Sequence, residues 1–134
     1  GGCAELDISD CPDLAPPLAV WGALMNGEMH LVGAARLRTK ESDRLASITR
    51  ALAALGADIR ESADSLTICG KDRLRGGAVV DCENDHRIAM AAAIAATVCK
   101  EPVTILGAEC VKKSYPAFWE DYSHLGGNYG ETLR

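Results

Sequence analysis

Aromatic side chains are scarce in this sequence, at 4% of 134 residues. With so few large rings, alanine, leucine and valine must build the core, and small side chains suit close packing of helices on sheets. Long apolar runs are missing as well, so no stretch is expected to span a bilayer and no membrane is expected as a partner. The opening Gly1-Gly2-Cys3-Ala4 lacks the basic and apolar regions of a signal peptide and carries no initiator Met. The chain therefore reads as an excised piece of a cytoplasmic protein. An excess of positive charge is also lacking: the net charge is -5, which argues against non-specific binding to nucleic acid or anionic lipid. Six cysteines are present, Cys3, Cys11, Cys69, Cys82, Cys99 and Cys110, but none forms a Cys-x-x-Cys pair and no His stands at zinc-finger spacing. They read as reduced thiols, with Cys69 and Cys99 acting as small hydrophobes inside apolar runs.

The residues that are there, 48% hydrophobic and 25% charged, describe a soluble globular chain long enough for one compact domain or two small layered units. An ungapped internal repeat favours two units. Asp13-Leu14-Ala15 through Leu31-Val32-Gly33-Ala34 aligns with Arg87-Ile88-Ala89 through Ile105-Leu106-Gly107-Ala108, an offset of 74 residues. Each copy has an alanine-rich amphipathic stretch, a turn (Met25-Asn26-Gly27-Glu28 or Cys99-Lys100-Glu101-Pro102), a short strand and then Gly-Ala.

Periodicity predicts helices over about 13–25, 42–55, 85–98 and 114–125, with strands near 29–32, 58–60, 65–69, 78–81 and 103–106. Pro16 and Pro17 fit only a first helical turn, and Gly56 is a natural stop after Leu45, Ile48, Leu52 and Leu55. Asn84 or Asp85 is a plausible cap for the third helix. The alternation of strands and helices implies an α/β fold with each sheet packed on helices.

Three charged clusters fall at junctions into helices, where binding residues are often placed. Lys40-Glu41-Ser42-Asp43-Arg44 follows Arg36 and Arg38, a basic concentration in an acidic chain. A carboxylate set among cations there can accept a proton. The bland alternative is a solvated helix start, with Glu41 and Asp43 offsetting the dipole. In Asn84-Asp85-His86-Arg87 the Asp suits a helix N-terminus, whereas His86 and Arg87 gain nothing from the dipole unless they meet an anion; the bland alternative is a capped helix with two exposed polar residues. Lys112-Lys113-Ser114-Tyr115-Pro116 is the repeat equivalent of the stretch around Arg38 to Lys40, and by itself reads as a basic surface turn. Asp13 reads first as a helix cap, but the repeat sets it opposite Arg87. A duplicated fold would present Asp13, residues 40–44, Arg87 and Lys113 from one end.

In order along the chain, Pro12-Asp13, Leu37-Arg38-Thr39-Lys40-Glu41-Ser42-Asp43-Arg44-Leu45, Asp85-His86-Arg87-Ile88-Ala89-Met90 and Lys113-Ser114-Tyr115-Pro116 resemble the C-terminal part of the EPSP synthase family. The resemblance spans nearly the whole chain. It implies transfer of the enolpyruvyl group of phosphoenolpyruvate (PEP) to the 5-hydroxyl of shikimate 3-phosphate, a step of the shikimate pathway toward chorismate and the aromatic amino acids. In that family glyphosate competes for the PEP site. By the resemblance, Glu41 matches the acid/base that protonates the PEP methylene carbon and later removes a proton, and Asp13 matches the carboxylate that contacts the attacking hydroxyl. Lys40 would contact shikimate 3-phosphate; Arg44, Arg87 and Lys113 would hold PEP, with His86 beside it. Arg36, at a position where some members contact substrate, is left outside the site.

No metal or organic cofactor is implied. The implied fold is built from βαβαββ units forming part of an inverse α/β barrel-like domain. One unit would cover about 1–74 and a second about 75–134. The N-terminal domain of the same enzyme would be the missing partner, the fragment alone would be inactive, and the complete enzyme would be a monomer. Two other readings remain at this point: UDP-N-acetylglucosamine enolpyruvyl transferase, and a non-catalytic anion-binding module.

Overall fold

A computed structural model describes residues 2–131. The first repeat folds as β1 (Gly2–Asp7), α1 (Ala15–Leu24), β2 (Gly27–Val32), α2 (Arg44–Ala54), β3 (Asp58–Glu61) and β4 (Leu66–Cys69), a complete βαβαββ unit. The second continues with β5 (Leu74–Gly76), β6 (Val79–Asp81), α3 (His86–Ala96), β7 (Cys99–Glu101), β8 (Thr104–Leu106) and α4 (Phe118–His124). Short 3-10 segments at Pro12–Leu14, Ala35–Thr39 and Ala108–Lys113 lead into α1, α2 and α4.

The helices stop and start where local chemistry requires. Asp43 caps α2 by accepting from Ala46 N at 3.2 Å, and Asp85 caps α3 by accepting from Arg87 N at 3.0 Å. Pro16 and Pro17 lie in the first turn of α1, whose backbone donors have no helical partners to lose. Gly56, at φ +103, takes the backbone out of α2 through a region that costs other residues strain.

Four strands form the larger sheet in the order β1-β2-β4-β3, with β1 parallel to β2 and the other pairs antiparallel. In the second repeat β5 pairs with β7 and β6 with β8, both parallel. All three parallel ladders share one register, since Gly2 faces Gly27, Leu74 faces Cys99 and Val79 faces Thr104, each 25 residues on. The second repeat is thus the same strand pair broken in two. Gly76 and Gly77, at φ +70 and +68, interrupt one strand, and Pro102, which has no N–H to give a ladder, interrupts the other.

Four elements depart from the expectations of periodicity. Gly2–Asp7, to which periodicity assigned no element, is a strand paired to β2, and Leu74–Gly76 is a strand as well. Cys99–Glu101 is β7 instead of a turn, because β5 lies beside it to receive its hydrogen bonds. The last helix begins at Phe118, four residues later than expected, because a 3-10 segment and the turn before Pro116 occupy its predicted start.

The helices lie inside and the strands outside. α1, α2 and α3 pack on one another, with α1 also against β2 and β4, α2 against β3 and β6, and α3 against β8. Five buried alanines and Ile88 on α3 permit that close approach, so the small-residue composition serves helix-on-helix packing as well as helix-on-sheet. One continuous core joins both repeats. Cys82 and Cys110 are the buried thiols, while Cys69 and Cys99 are half-buried; alternation along β4 turns Cys69 outward, and Cys99 packs at the margin of the core.

Candidate active site

Three helix beginnings meet at one end of the core. Asp13 stands in the 3-10 turn leading into α1, Arg44 is the first residue of α2, and Asp85 is the cap of α3. Each helix directs the positive end of its dipole toward this place, which favours anions there; α2 and α3 add first-turn N–H groups, whereas Pro16 and Pro17 leave α1 without them. The protein fills part of that demand with its own carboxylates.

Arg44 holds them together. Although charged, it is 1% exposed. Its Nε donates to Asp85 Oδ2 at 2.8 Å and an Nη to Asp85 Oδ1 at 3.1 Å, a bidentate fork. The other Nη donates to Asp13 Oδ1 at 3.1 Å, and Glu41 closes the group by pairing with the Nη that also serves Asp85. Four of the five guanidinium N–H groups are therefore used, leaving one for a ligand. Arg87, also at the start of α3, reaches the second oxygen of Asp13 at 3.3 Å. A cation at a helix N-terminus is explained here by a carboxylate from the neighbouring helix start.

Asp85 is completely buried and its oxygens are fully engaged, by Arg44, by Ser42 Oγ at 2.8 Å and by the Arg87 backbone N–H. Ser42 in turn lies 2.8 Å from Ser47 Oγ, on the first turns of α2. Burial alone would raise the Asp85 pKa, but the hydrogen bonds from Arg44 and Ser42 and the Arg44 charge outweigh it and hold the carboxyl below its ordinary value. Burial likewise opposes the Arg44 charge, and the Asp85 hydrogen bonds with the charges of Asp85, Glu41 and Asp13 overcome it, so the guanidinium pKa is raised. Among the described residues no buried side-chain N or O lacks a partner.

The structure thus brings together Asp13, Glu41, Arg44 and Arg87 by direct contact. His86 joins them, with a ring nitrogen within 4.8 Å of carboxylate oxygens of both Glu41 and Asp85. That trio has ligand types for a metal, but the Asp85 oxygens are already occupied and Arg44 supplies the local positive charge, so the donor set is not a metal centre. Lys40 and Lys113 form no ion pair with described residues. Lys40 is half-buried beside Glu41. Lys113 ends a 3-10 segment in which Cys110 Sγ lies 3.7 Å from Cys82 Sγ, and the Cys82 carbonyl accepts from Asp85 N. The segment therefore lies at the same end of α3 as the carboxylate cluster.

Other charges of the 36–44 stretch have separate duties. Arg38 pairs with Asp43 at 3.0 Å and with Glu61 at 2.8 Å, fastening the approach to α2 onto β3. Arg36 donates to the Ser9 carbonyl at 3.3 Å. Asp85 and Ser42 are the groups that local sequence reading left out of the site. The cap position of Asp85 was visible, but its bond to Arg44, 41 residues away, has no local signal.

The sequence model of the family described as EPSP synthase (3-phosphoshikimate 1-carboxyvinyltransferase) matches residues 2–122. The 3-phosphoshikimate 1-carboxyvinyltransferase of Clostridium kluyveri is 53% identical over 126 residues, covering 94% of this chain and 29% of that protein. The protein of the same name from Clostridium acetobutylicum is 55% identical over the same coverage. Among solved structures, an EPSP synthase from Acinetobacter baumannii superposes with a TM-score of 0.82 at 35% identity, covering 87% of this chain and 28% of that one. The enolpyruvyl transferase NikO from Streptomyces tendae superposes with a TM-score of 0.81 over 98% of this chain, and at 21% identity it speaks for the fold alone. The chain spans about 29% of the length of the Clostridium relatives.

Proposed function

Since the chain belongs to the EPSP synthase (3-phosphoshikimate 1-carboxyvinyltransferase) family, we propose that its three helix beginnings form part of a site that transfers the enolpyruvyl group of PEP to the 5-hydroxyl of shikimate 3-phosphate. The observation that carries this reading is the arrangement at Arg44. One buried guanidinium steadies two half-exposed carboxylates, Asp13 and Glu41, whose side chains are each 52% accessible. Two carboxylates held apart by a shared cation can divide two proton transfers.

In the proposed reaction Asp13 takes the proton of the 5-hydroxyl as its oxygen attacks C2 of PEP. Glu41 gives a proton to C3, converting the methylene to a methyl group in a tetrahedral adduct. Glu41 then removes a proton from that methyl as the C–O bond to phosphate breaks, restoring the double bond and releasing phosphate, which carries away the proton that Asp13 had taken. Arg87, Lys113 and the one spare N–H of Arg44 hold PEP with His86 alongside, and Lys40 contacts shikimate 3-phosphate. Arg44 then acts mainly by positioning, since most of its donors serve the protein's own carboxylates.

The remainder of the enzyme completes the site. We assign residues 1–74 and 75–134 to two successive units of the C-terminal domain, with the N-terminal domain of the same chain as their partner and a monomeric whole. The chain alone is then inactive, and in the cell the enzyme works in the cytoplasm, where both membrane-impermeant anions are available. Glu41→Gln in the full-length protein tests the reading. Turnover should fall by about 10²–10⁴-fold, the range of a lost acid/base. Calorimetric binding of shikimate 3-phosphate, and of glyphosate to that complex, should persist. Turnover equal to the parent would remove Glu41 from the chemistry, and absence of both ligands' binding would turn the reading toward a different acceptor or an inert module.

A further inference from the structure

On the outer face of the larger sheet, three strands set metal-ligand side chains in one row. Alternation sends Met29, Leu31, Leu66 and Ile68 into the core, so Glu28, His30, Thr67 and Cys69 face outward. Cys3 on β1 lies opposite Glu28, and Glu28 lies opposite Cys69 on β4. His30 follows two residues after Glu28, on the same face. The ligand atoms of Cys3, Glu28 and His30 all lie within 4.8 Å of one another. Glu28 Oε2 is 3.2 Å from His30 Nε2, and Cys69 Sγ is 3.5 Å from Glu28 Oε1. Thr67 Oγ1 is 3.2 Å from His30 Nδ1, so the second ring nitrogen is already oriented, as the outer partner of a ligating imidazole usually is.

We propose that Cys3, Glu28 and His30 bind a borderline-soft divalent ion of the Zn²⁺ type, with Cys69 beside the Glu28 carboxylate as its outer partner. The mixture of sulfur, imidazole nitrogen and carboxylate oxygen selects this class over hard Mg²⁺ or Ca²⁺, which prefer oxygen throughout. The site shares no residue with the carboxylate cluster at the helix beginnings, so it stands whether or not the enolpyruvyl reading holds. Its consequence is mechanical. Among the described residues β1 has a single sheet neighbour and is exposed along most of its length, and the ion ties it to β2. The Cys3 thiol gives up one proton to solvent as its thiolate bonds the ion.

The test uses the purified, reduced, metal-free protein titrated with Co²⁺ and then with Zn²⁺. One equivalent of Co²⁺ should bind with thiolate-to-metal charge-transfer and tetrahedral d–d bands, and Zn²⁺ should displace it. Cys3→Ser should remove or weaken the charge-transfer band, and His30→Ala should lower affinity at least tenfold. Thr67→Val should lower it about 10–100-fold through the outer partner. Cys11→Ser should change nothing. X-ray absorption of the Zn²⁺-loaded parent gives a reading that needs no variant: sulfur near about 2.3 Å with nitrogen or oxygen near about 2.0–2.1 Å is expected. Co²⁺ binding unchanged in both Cys3→Ser and His30→Ala, no stoichiometric binding, or a shell of oxygen alone would each overturn the proposal.

Discussion

Arg44 brings a full positive charge to a place that is 1% exposed, and Asp85 brings a negative one that is fully buried. Desolvating two such groups costs several kcal/mol each, and only close pairing with every lone pair used makes it tolerable. Removing one partner should therefore be far worse than removing an exposed pair. Asp85→Ala should lower unfolding free energy by about 3–5 kcal/mol. Asp43→Ala, which loses a cap and a half-exposed pairing with Arg38, should cost about 1 kcal/mol. Urea unfolding of both variants checks the contrast, and equal losses would mean that burial of Arg44 is not what Asp85 compensates. Acid should act through the same residue. Because the folded-state pKa of Asp85 lies below its ordinary value of 3.8, its stabilisation is fully present above that value. It is lost as pH falls from 3.8 through the lowered folded value, and a protein with Asp85→Asn should lack that part of its acid sensitivity. The cap was readable because Asp before a helix is a local signal; the ion pair across 41 residues depends on where two helices dock.

The same distinction between local and non-local causes governs the elements. α2 and α3 carried helical spacing, and β2, β3, β4, β6 and β8 followed from alternation or from short apolar runs bounded by turn residues; α1 is apolar on all sides and not amphipathic as expected, and was legible from its alanine content, its leading prolines and the turn after it. The three-residue strands β5 and β7 are too short to alternate measurably, and each exists because the other lies beside it in the shared 25-residue register. Gly33 and Gly107, 74 residues apart, close equivalent parts of the two repeats, with φ of +69 and +75. They should not tolerate alanine equally. At Gly107 a new Cβ meets only Cys82 Sγ, at 3.4 Å, so Gly107→Ala carries mainly the left-handed backbone cost of about 1–2 kcal/mol. At Gly33 the Cβ would run into the Asp7 carboxylate, which already accepts from Ser9 N at 2.9 Å. Gly33→Ala should therefore cost at least about 1 kcal/mol more, in line with overpacking elsewhere. Thermal or urea unfolding of the two single variants decides it, and equal losses would leave the backbone alone responsible.

At the scale of the whole molecule, charge and apolar surface both ask for more protein than these residues supply. Four proposed site cations, Lys40, Arg44, Arg87 and Lys113, stand against Asp13, Glu41 and Asp85, leaving one net positive charge. PEP and shikimate 3-phosphate each combine a carboxylate with a phosphate ester that itself carries roughly −1.5 to −2 at neutral pH. Further cations are needed, which fits a chain spanning about 29% of its relatives' length. α1 makes the same case from packing. Its ten residues include no charged or polar side chain, yet Trp21 is 62% exposed, and Leu14 just before the helix is 50% exposed. A helix apolar on all sides belongs in an interior. We therefore expect the outer side of α1 to be covered by the remainder of the enolpyruvyl transferase in the full-length protein. With Trp119 replaced by Phe, Trp21 emission from the 134-residue chain should be red-shifted and readily quenched by acrylamide. In the full-length protein carrying the same replacement and no tryptophan beyond these residues, the emission should move to the blue and resist the quencher. Equal quenching in the two would mean that α1 meets solvent in the complete enzyme and that its missing partner lies against another face.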